Sequence, residues 1–222
     1  MLLRADLHIH TRYSFDCMMS LETIINRCAK KGINCAAIAD HGTIAGALEL
    51  KAKAPFEVIV GEEVLTPQGE IMGLFLIEEI PSPVSVEEAL GRIKAQKGLV
   101  CLPHPFDRLR GIKGANHHDC GNLQKLAAHV DIIEVFNSRA LPLGNPNQKA
   151  RIFAEAHGLL CSAGSDAHVP SEIGRAYVEL PQFTDKEEFC SSLAQGQIFG
   201  RRTCPMVHIP SAWNSLKRRL FK

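Results

Sequence analysis

Short apolar runs along the chain alternate with segments whose apolar residues recur every three or four positions, marking strands and amphipathic helices respectively. "LLRADLHIH" reads as an opening strand, and "MSLETIINRCAKKGI" as a helix with Ser20 at its N-cap. "INCAAIAD" and "FEVIVGEEVLT" are the second and third strands, with the helix "TIAGALELKAKA" between them. "GEIMGLFLI" is a further strand, joined to the third through a turn at "TPQGE". "SVEEALGRIKAQKG" opens on Ser85 and Glu88, spaced as a capping box, and closes at Gly98. The strand "LVCLPH" follows. Beyond an irregular stretch come the helix "GNLQKLAAHV", the strand "DIIEVFN" and the helix "NPNQKARIFAEAHG", with Asn145 as cap and Pro146 at its first position. "LLCSAGSDAH" is a strand and turn, and "RAYVEL" and "DKEEFCSSLAQG" complete the series.

This βα alternation, repeated about seven times, predicts an α/β fold. Buried parallel strands need helices on both faces or closure into a barrel, so the choice lies between a doubly wound sheet and a β/α barrel. No G-x-G-x-x-G and no P-loop follows any strand, which weakens a nucleotide-binding sheet. Nothing marks a domain boundary before the end of the series, so residues 1–200 are expected to form one domain and 201–222 a basic, less periodic tail.

Composition adds exclusions. The chain has 222 residues, 45% hydrophobic and 22% charged, enough for a substantial core. Net charge is +1, so no global field recruits nucleic acid or anionic membrane. No apolar run approaches the ~20 residues of a membrane helix, and the N-terminus lacks the layout of a signal peptide, which predicts a cytoplasmic protein. The eight cysteines form no C-x-x-C pair and sit mostly in apolar segments, as free buried thiols would.

The candidate chemistry lies in position. In the first strand Leu7 and Ile9 alternate with Asp6, His8 and His10, which predicts three polar side chains on one face. Asp40 and His41 end the second strand, Glu62 and Glu63 the third, and His104 follows "LVCLP". Asn137 ends "DIIEVF", and Asp166 and His168 follow "LLCSAGS". The carboxyl ends of barrel strands share one mouth, so residues far apart in sequence converge there, as ligands of metal ions. Asp6, deeper in its strand, is expected to orient an imidazole without touching metal. His117 and His118, and His129 and His157 on helices, read as surface.

"DLHIHTRYSFD", "IADHGT", "GEEVLT", "LPHPFDR", "IEVFNSR" and "GSDAH", in this order over roughly residues 1 to 180, resemble the polymerase and histidinol phosphatase (PHP) family of metal-dependent phosphoesterases. The resemblance implies a distorted, TIM-like barrel of seven strands with two or three metal ions in its mouth. It also implies hydrolysis of phosphate mono- or diesters by a metal-bridged hydroxide; family substrates include histidinol phosphate, nucleotides and oligonucleotide ends. Carried onto this chain, His8, His10 and Asp166 hold one ion, Glu63 bridges it to a second bound by His104, and Asp16, His41 and His168 hold a third. Glu70 stands where some members have a histidine, and is expected on the second ion. The mixed His and carboxylate set suits Zn²⁺, Mn²⁺ or Fe²⁺, tilted toward manganese or iron by the carboxylates.

Asp166 is the candidate to orient the nucleophile or accept its proton, and His168 or His41 to move a proton. Arg108 and Arg139, each close behind a strand-end ligand, are expected to fork onto phosphate, with Arg12 a third candidate. Ser14 and Tyr13 are read as loop packing. The substrate is expected to be a phosphorylated small molecule or nucleotide, or a nucleic-acid end. The loop "DRLRGIKGANHHDCG", with Arg108, Arg110 and Lys113, is basic enough to receive it. Two other readings stay open: an amidohydrolase-like metal hydrolase, for which a strand-end lysine is missing, and a non-catalytic barrel that keeps its metals. "SAWNSLKRRLFK" reads as a short basic amphipathic segment that caps the barrel or touches a partner.

Overall fold

The computed structural model describes residues 2–115, 121–207 and 213. Among these, nine strands form one sheet: β1 (Leu2–Ile9), β2 (Cys35–His41), β3 (Glu57–Thr66), β4 (Gly69–Leu74), β5 (Leu99–Leu102), β6 (Ile132–Asn137), β7 (Leu160–Gly164), β8 (Ala176–Pro181) and β9 (Gln197–Gly200). Six α-helices intervene: α1 (Leu21–Lys31), α2 (Ala45–Lys53), α3 (Val86–Ala95), α4 (Gly121–Ala127), α5 (Pro146–His157) and α6 (Lys186–Ala194). The strand order is β7-β6-β5-β4-β3-β2-β1-β8-β9.

The first seven strands curl until their ends meet. Past β7, the Asp166 amide donates to the His8 carbonyl at 2.7 Å and the His10 amide to that of Ala167 at 3.0 Å. A parallel bridge between Ile9 and Ala167 completes the contact. The result is the expected α/β barrel-like sheet, nearly closed, with β8 and β9 continuing it beyond β1. The sheet is not uniformly parallel. The tight turn after Thr66 sends β4 back antiparallel to β3, and β4 also pairs antiparallel with β5. β8 runs antiparallel to β1 and to β9, a strand the sequence pattern did not announce.

Local chemistry sets the helix ends. Ser20 and Ser85 accept from the amides of Thr23 and Glu88, so both N-caps form as expected. The capping box stays one-sided, because the Glu88 carboxylate pairs with Arg92. Asn145 enters α5 through a left-handed backbone, φ 52°, without a side-chain cap. Lys97, at φ 57°, takes the left-handed turn after α3 that Gly98 was expected to supply.

One irregularity decides the site. Along the β1–β2 ladder Ala5 faces Cys35, Asp6 faces Ala36 and Ile9 faces Ile38, so three steps on β1 match two on β2. This β-bulge reverses the alternation between Asp6 and Ile9. Ala36, Ile38 and Ile9 pack between sheet and helices. Ala5, Leu7, Cys35, Ala37 and Ala39 fill the barrel interior. His8 and His10 therefore continue the interior face, and Asp6 belongs to the other. The single polar face expected of "DLHIH" is split.

On the other strands alternation holds. Ile59 lies in the interior cluster and Val58 and Val60 outside it, so Glu63 points in and Glu62 out. Met72 and Leu74 are interior, which turns Glu70 inward too.

Four cysteines are buried as expected, but Cys161 and Cys190 are half-buried and Cys204 is exposed. Among the described residues no helix is long and apolar enough to cross a membrane. His129 and His157 are exposed. The expectations for His117 and His118 lie outside the described residues, as does the tail segment apart from Trp213, which is exposed.

Candidate metal centre

At the mouth of the barrel, five imidazoles and four carboxylates form four overlapping groups, each with ligand atoms within 4.8 Å of one another. Most end a strand, but Glu70 begins the antiparallel β4 and Asp16 lies in the loop after β1. These groups are His10, Asp16, His41 and His168; His8, His10 and Glu63; His8, His104 and Asp166; and His41, Glu63 and Glu70. All nine expected ligands take part. The partition differs from the carried-over scheme: the groups overlap, with Glu63 in two of them and Asp166 grouped with His104 as well as His8.

The spacing suits cations. Donor atoms bound about 2.0–2.2 Å from one ion sit about 2.8–3.6 Å apart, the edges of a tetrahedron or octahedron. Here His8 Nε2 and His10 Nε2 are 3.1 Å apart, and each is 3.4 Å from Glu63 Oε2. His104 Nε2 is 3.1 Å from Glu63 Oε1 and 3.4 Å from Glu70 Oε2. Asp16 Oδ2 lies 2.8 Å from His168 Nε2 and 3.5 Å from His41 Nε2. Asp166 Oδ1 and Glu70 Oε2 are buried and lack a hydrogen-bond partner. Two imidazole nitrogens in contact with an unsatisfied Asp166 oxygen beside them, and His104 with an unsatisfied Glu70 oxygen beside it, fit shared cations better than neutral packing.

The metal-free charge balance points the same way. Burial opposes ionisation of Asp166, but Arg110 and His8 override it and hold the carboxyl well below its ordinary range. Glu63 is likewise held low against burial, by His8 and His41. Burial disfavours charge on His41, yet Glu63 and Asp16 raise its pKa to about 10. His168 goes the other way, to about 4, through burial and the neighbouring His10. Glu70 is pushed up to about 7 by burial and by Glu63.

The supporting residues depart from expectation. Glu134, on the interior face of β6, accepts from His8 Nδ1 at 3.1 Å, from the His104 amide at 2.9 Å and from Asn137 Nδ2 at 2.8 Å. It orients an imidazole, the role expected of Asp6. Beyond the bulge, Asp6 instead accepts from the amides of Ser165, at 2.8 Å, and Gly174, at 2.9 Å. It fixes the backbone of the turn that carries Asp166. Asn137 donates to Glu134 and to Asp166 and accepts from two amides, which makes it a link between carboxylates. Asp40 holds the loop after β1 through the Thr11 amide and hydroxyl, and Ser14 donates to Asp16 at 2.7 Å. Tyr13 donates to Glu49, consistent with loop packing.

Among the arginines, Arg110 reaches the cluster and pairs with Asp166. Arg108 is exposed on the wall of the adjoining cleft, and among the described residues no bond joins it to the ligands. Arg139 is buried behind the site, 3.6 Å from Glu172 and donating to the carbonyls of Asp166 and Val207. Arg12 is half-exposed beside Glu49. The cleft, about 770 Å³, runs between the β3–β4 turn and the loop from Asp107 to Gly114, with Glu70, Arg108, Arg110 and Lys113 along it. Of the three cations expected in this loop, Arg110 is the one that reaches the ligands: Gly111, where a Cβ would collide with the Pro105 and Asp107 carbonyls, lets the loop fold tightly beside it.

A nearly closed α/β barrel with a histidine and carboxylate cluster at its mouth defines a class, and the sequence comparison gives the family. The chain belongs to the PHP domain family, whose domain matches residues 6–134, followed by a PHP-associated region over 144–198. An uncharacterized protein of Methanocaldococcus jannaschii, MJ0417, is 38% identical over 181 residues, covering 81% of this chain and 71% of the relative. A two-domain protein from Bacteroides vulgatus, described as containing a predicted PHP-like metal-dependent phosphoesterase, superposes with a TM-score of 0.70 at 15% identity, over 96% of this chain and 70% of that one. An amidohydrolase from Chromobacterium violaceum superposes with a TM-score of 0.60 at 19% identity, over 77% and 89%. At such identities the structural likenesses establish the fold alone.

Proposed function

We propose that this chain is a metal-dependent phosphoesterase acting on a phosphorylated small molecule, a nucleotide or a nucleic-acid end. The observation that carries the reading is the set of four overlapping ligand groups at one mouth, opening beside a cleft lined by three cationic side chains. Two or three divalent ions, Zn²⁺, Mn²⁺ or Fe²⁺, suit a set that contains no thiolate, and the four carboxylates favour manganese or iron. Bound there, such ions neutralise phosphate charge and make water nucleophilic near neutral pH.

The protein's own groups supply the rest. Glu63 fixes the distance between neighbouring ligand groups because its two oxygens face different imidazoles. Asp166 stays ionised against burial and serves to orient the attacking water or take its proton. His168, anchored through Nδ1 on the Asp166 carbonyl at 2.9 Å, presents Nε2 beside Asp16 and would hold an ion there, so it is free to carry a proton only when that ion is absent. Arg110 and, from the cleft wall, Arg108 and Lys113 bind the phosphate oxygens. Arg139 acts as a positioning residue that braces the Asp166 carbonyl and Glu172.

The test begins with metal analysis of the purified protein. The metal-loaded chain is then assayed on p-nitrophenyl phosphate, its bis ester and an amide panel. Ester hydrolysis that disappears on chelation supports the reading. Full metal occupancy with no turnover of any phosphate ester overturns it, and turnover of amides alone selects an amidohydrolase.

A further inference from the structure

A second pocket, about 490 Å³, lies between the end of α1, the turn before β8 and the end of β9, and shares no residue with the metal cluster or its cleft. Its charged lining residues are Lys31, Arg175 and Arg201, with no carboxylate among them. In the metal-side cleft the cations face Glu70 and Asp107; here nothing of opposite sign lines the wall. Arg175 is held by carbonyls, with Nε donating to Ser171 at 3.1 Å and Nη1 to Arg202 at 3.5 Å, so its position is fixed while its charge stays uncompensated. Among the described residues neither Lys31 nor Arg201 has an ion-pair partner.

The remaining wall is aromatic. Tyr177 and Phe199 are register partners across β8 and β9, with ring centroids 5.4 Å apart and planes 16° from parallel. The Arg4 guanidinium covers Tyr177 at 5.6 Å. Gly200 completes the rim because any side chain there would strike the Phe136 ring. Three uncompensated cations suit a phosphoryl group, and the stacked Tyr177–Phe199 pair beside them offers aromatic surface for a heterocycle to pack against. The volume lies within the range of small-molecule sites, about 300–1,000 Å³. We infer that this pocket is a second ligand site, separate from the metal centre, that binds a nucleoside monophosphate.

The test uses the full-length, metal-loaded chain in calorimetric titrations with an adenosine 5′-phosphonate, whose P–C bond resists hydrolysis. Adenosine and inorganic phosphate are the partial probes, and a short single-stranded oligonucleotide is the alternative source of the same chemistry. The expected result is that wild type binds one more equivalent of phosphonate than R175Q/R201Q does. Adenosine and phosphate should each bind this site at least about tenfold more weakly than the phosphonate. Phe199→Leu should weaken the phosphonate and leave inorganic phosphate unchanged, while turnover at the metal centre is unaffected in either variant. Equal stoichiometry in wild type and the double variant overturns the site. An oligonucleotide that binds there more tightly than the phosphonate overturns the assignment to a mononucleotide.

Discussion

At the end of the barrel away from the metal groups, Phe189 of α6 is fully buried against Phe75 and Phe183, with ring centroids 5.2 and 5.1 Å away, and Leu193 and Leu3 close the layer. At the mouth the same strands end in buried histidines and carboxylates whose charges are desolvated and only partly paired. A buried charge cluster contributes little to folding and often opposes it, whereas a buried aromatic cluster is among the strongest contributors. The lower layer therefore supports a mouth that is stable only in company with cations. The two ends should respond independently to substitution, as distant sites do.

Glu63→Gln tests the mouth and carries the largest expected effect. One carboxylate serves two ligand groups, so its loss should cut turnover of the identified ester by at least about 10⁴-fold. Added Mn²⁺ should raise the melting temperature of wild type by more than that of the variant, because two of the four ligand groups contain Glu63 and two do not. A variant that keeps the full metal-dependent increment would refute the bridging role. Phe189→Ala tests the other end. It should cost about 3–5 kcal/mol, on the order of 10 °C, while the increment from Mn²⁺ persists. If that increment vanished too, the ends would be coupled and the comparison wrong.

The pattern of strand ends made seven of the nine ligands legible, His8, His10, His41, Glu63, His104, Asp166 and His168, while Asp16 and Glu70 came from the family resemblance; all nine meet at the mouth. Period-two alternation, once the strand bounds are known, turns Glu70 inward and separates Glu63 from Glu62, a distinction the sequence reading did not draw. The β1 bulge was not legible, because an extra residue in a strand leaves no mark in an alternating pattern when its neighbours are all buried. Glu134 left a signal that went unused: a carboxylate in phase with interior Ile132 within "DIIEVFN" must be satisfied by something inside the barrel. That Arg110 pairs with Asp166 while Arg108 stays on the cleft wall depends on loop backbone geometry, which the spacing of cations in the sequence does not show. Glu134→Gln measures what that missed residue contributes. Weakening the hydrogen bond from His8 should lower metal affinity about 10–100-fold, read by competition with a chelator, with a smaller loss of folding stability than Phe189→Ala. Unchanged affinity would make Glu134 a packing residue.

The smallest effect separates two adjacent carboxylates on one strand. Glu62, facing away from Glu63, accepts from the Ile80 amide at 2.8 Å, and its other oxygen is buried without a hydrogen-bond partner. Burial lifts its pKa from 4.5 to about 7. A carboxyl with a raised folded pKa binds its proton more tightly when folded, so it leaves the fold undisturbed below about pH 4.5 and weakens it progressively as pH rises through 7. Gln at this position accepts the same amide without ionising. Glu62→Gln should therefore match wild type near pH 5 and exceed it by on the order of 1–3 kcal/mol at pH 8–9 in urea titrations of the chelated protein. Metal content and turnover should not change, because Glu62 belongs to no ligand group. A variant less stable than wild type at pH 9 would mean that Glu62 is ionised and usefully paired, and would remove the distinction between the two faces of β3.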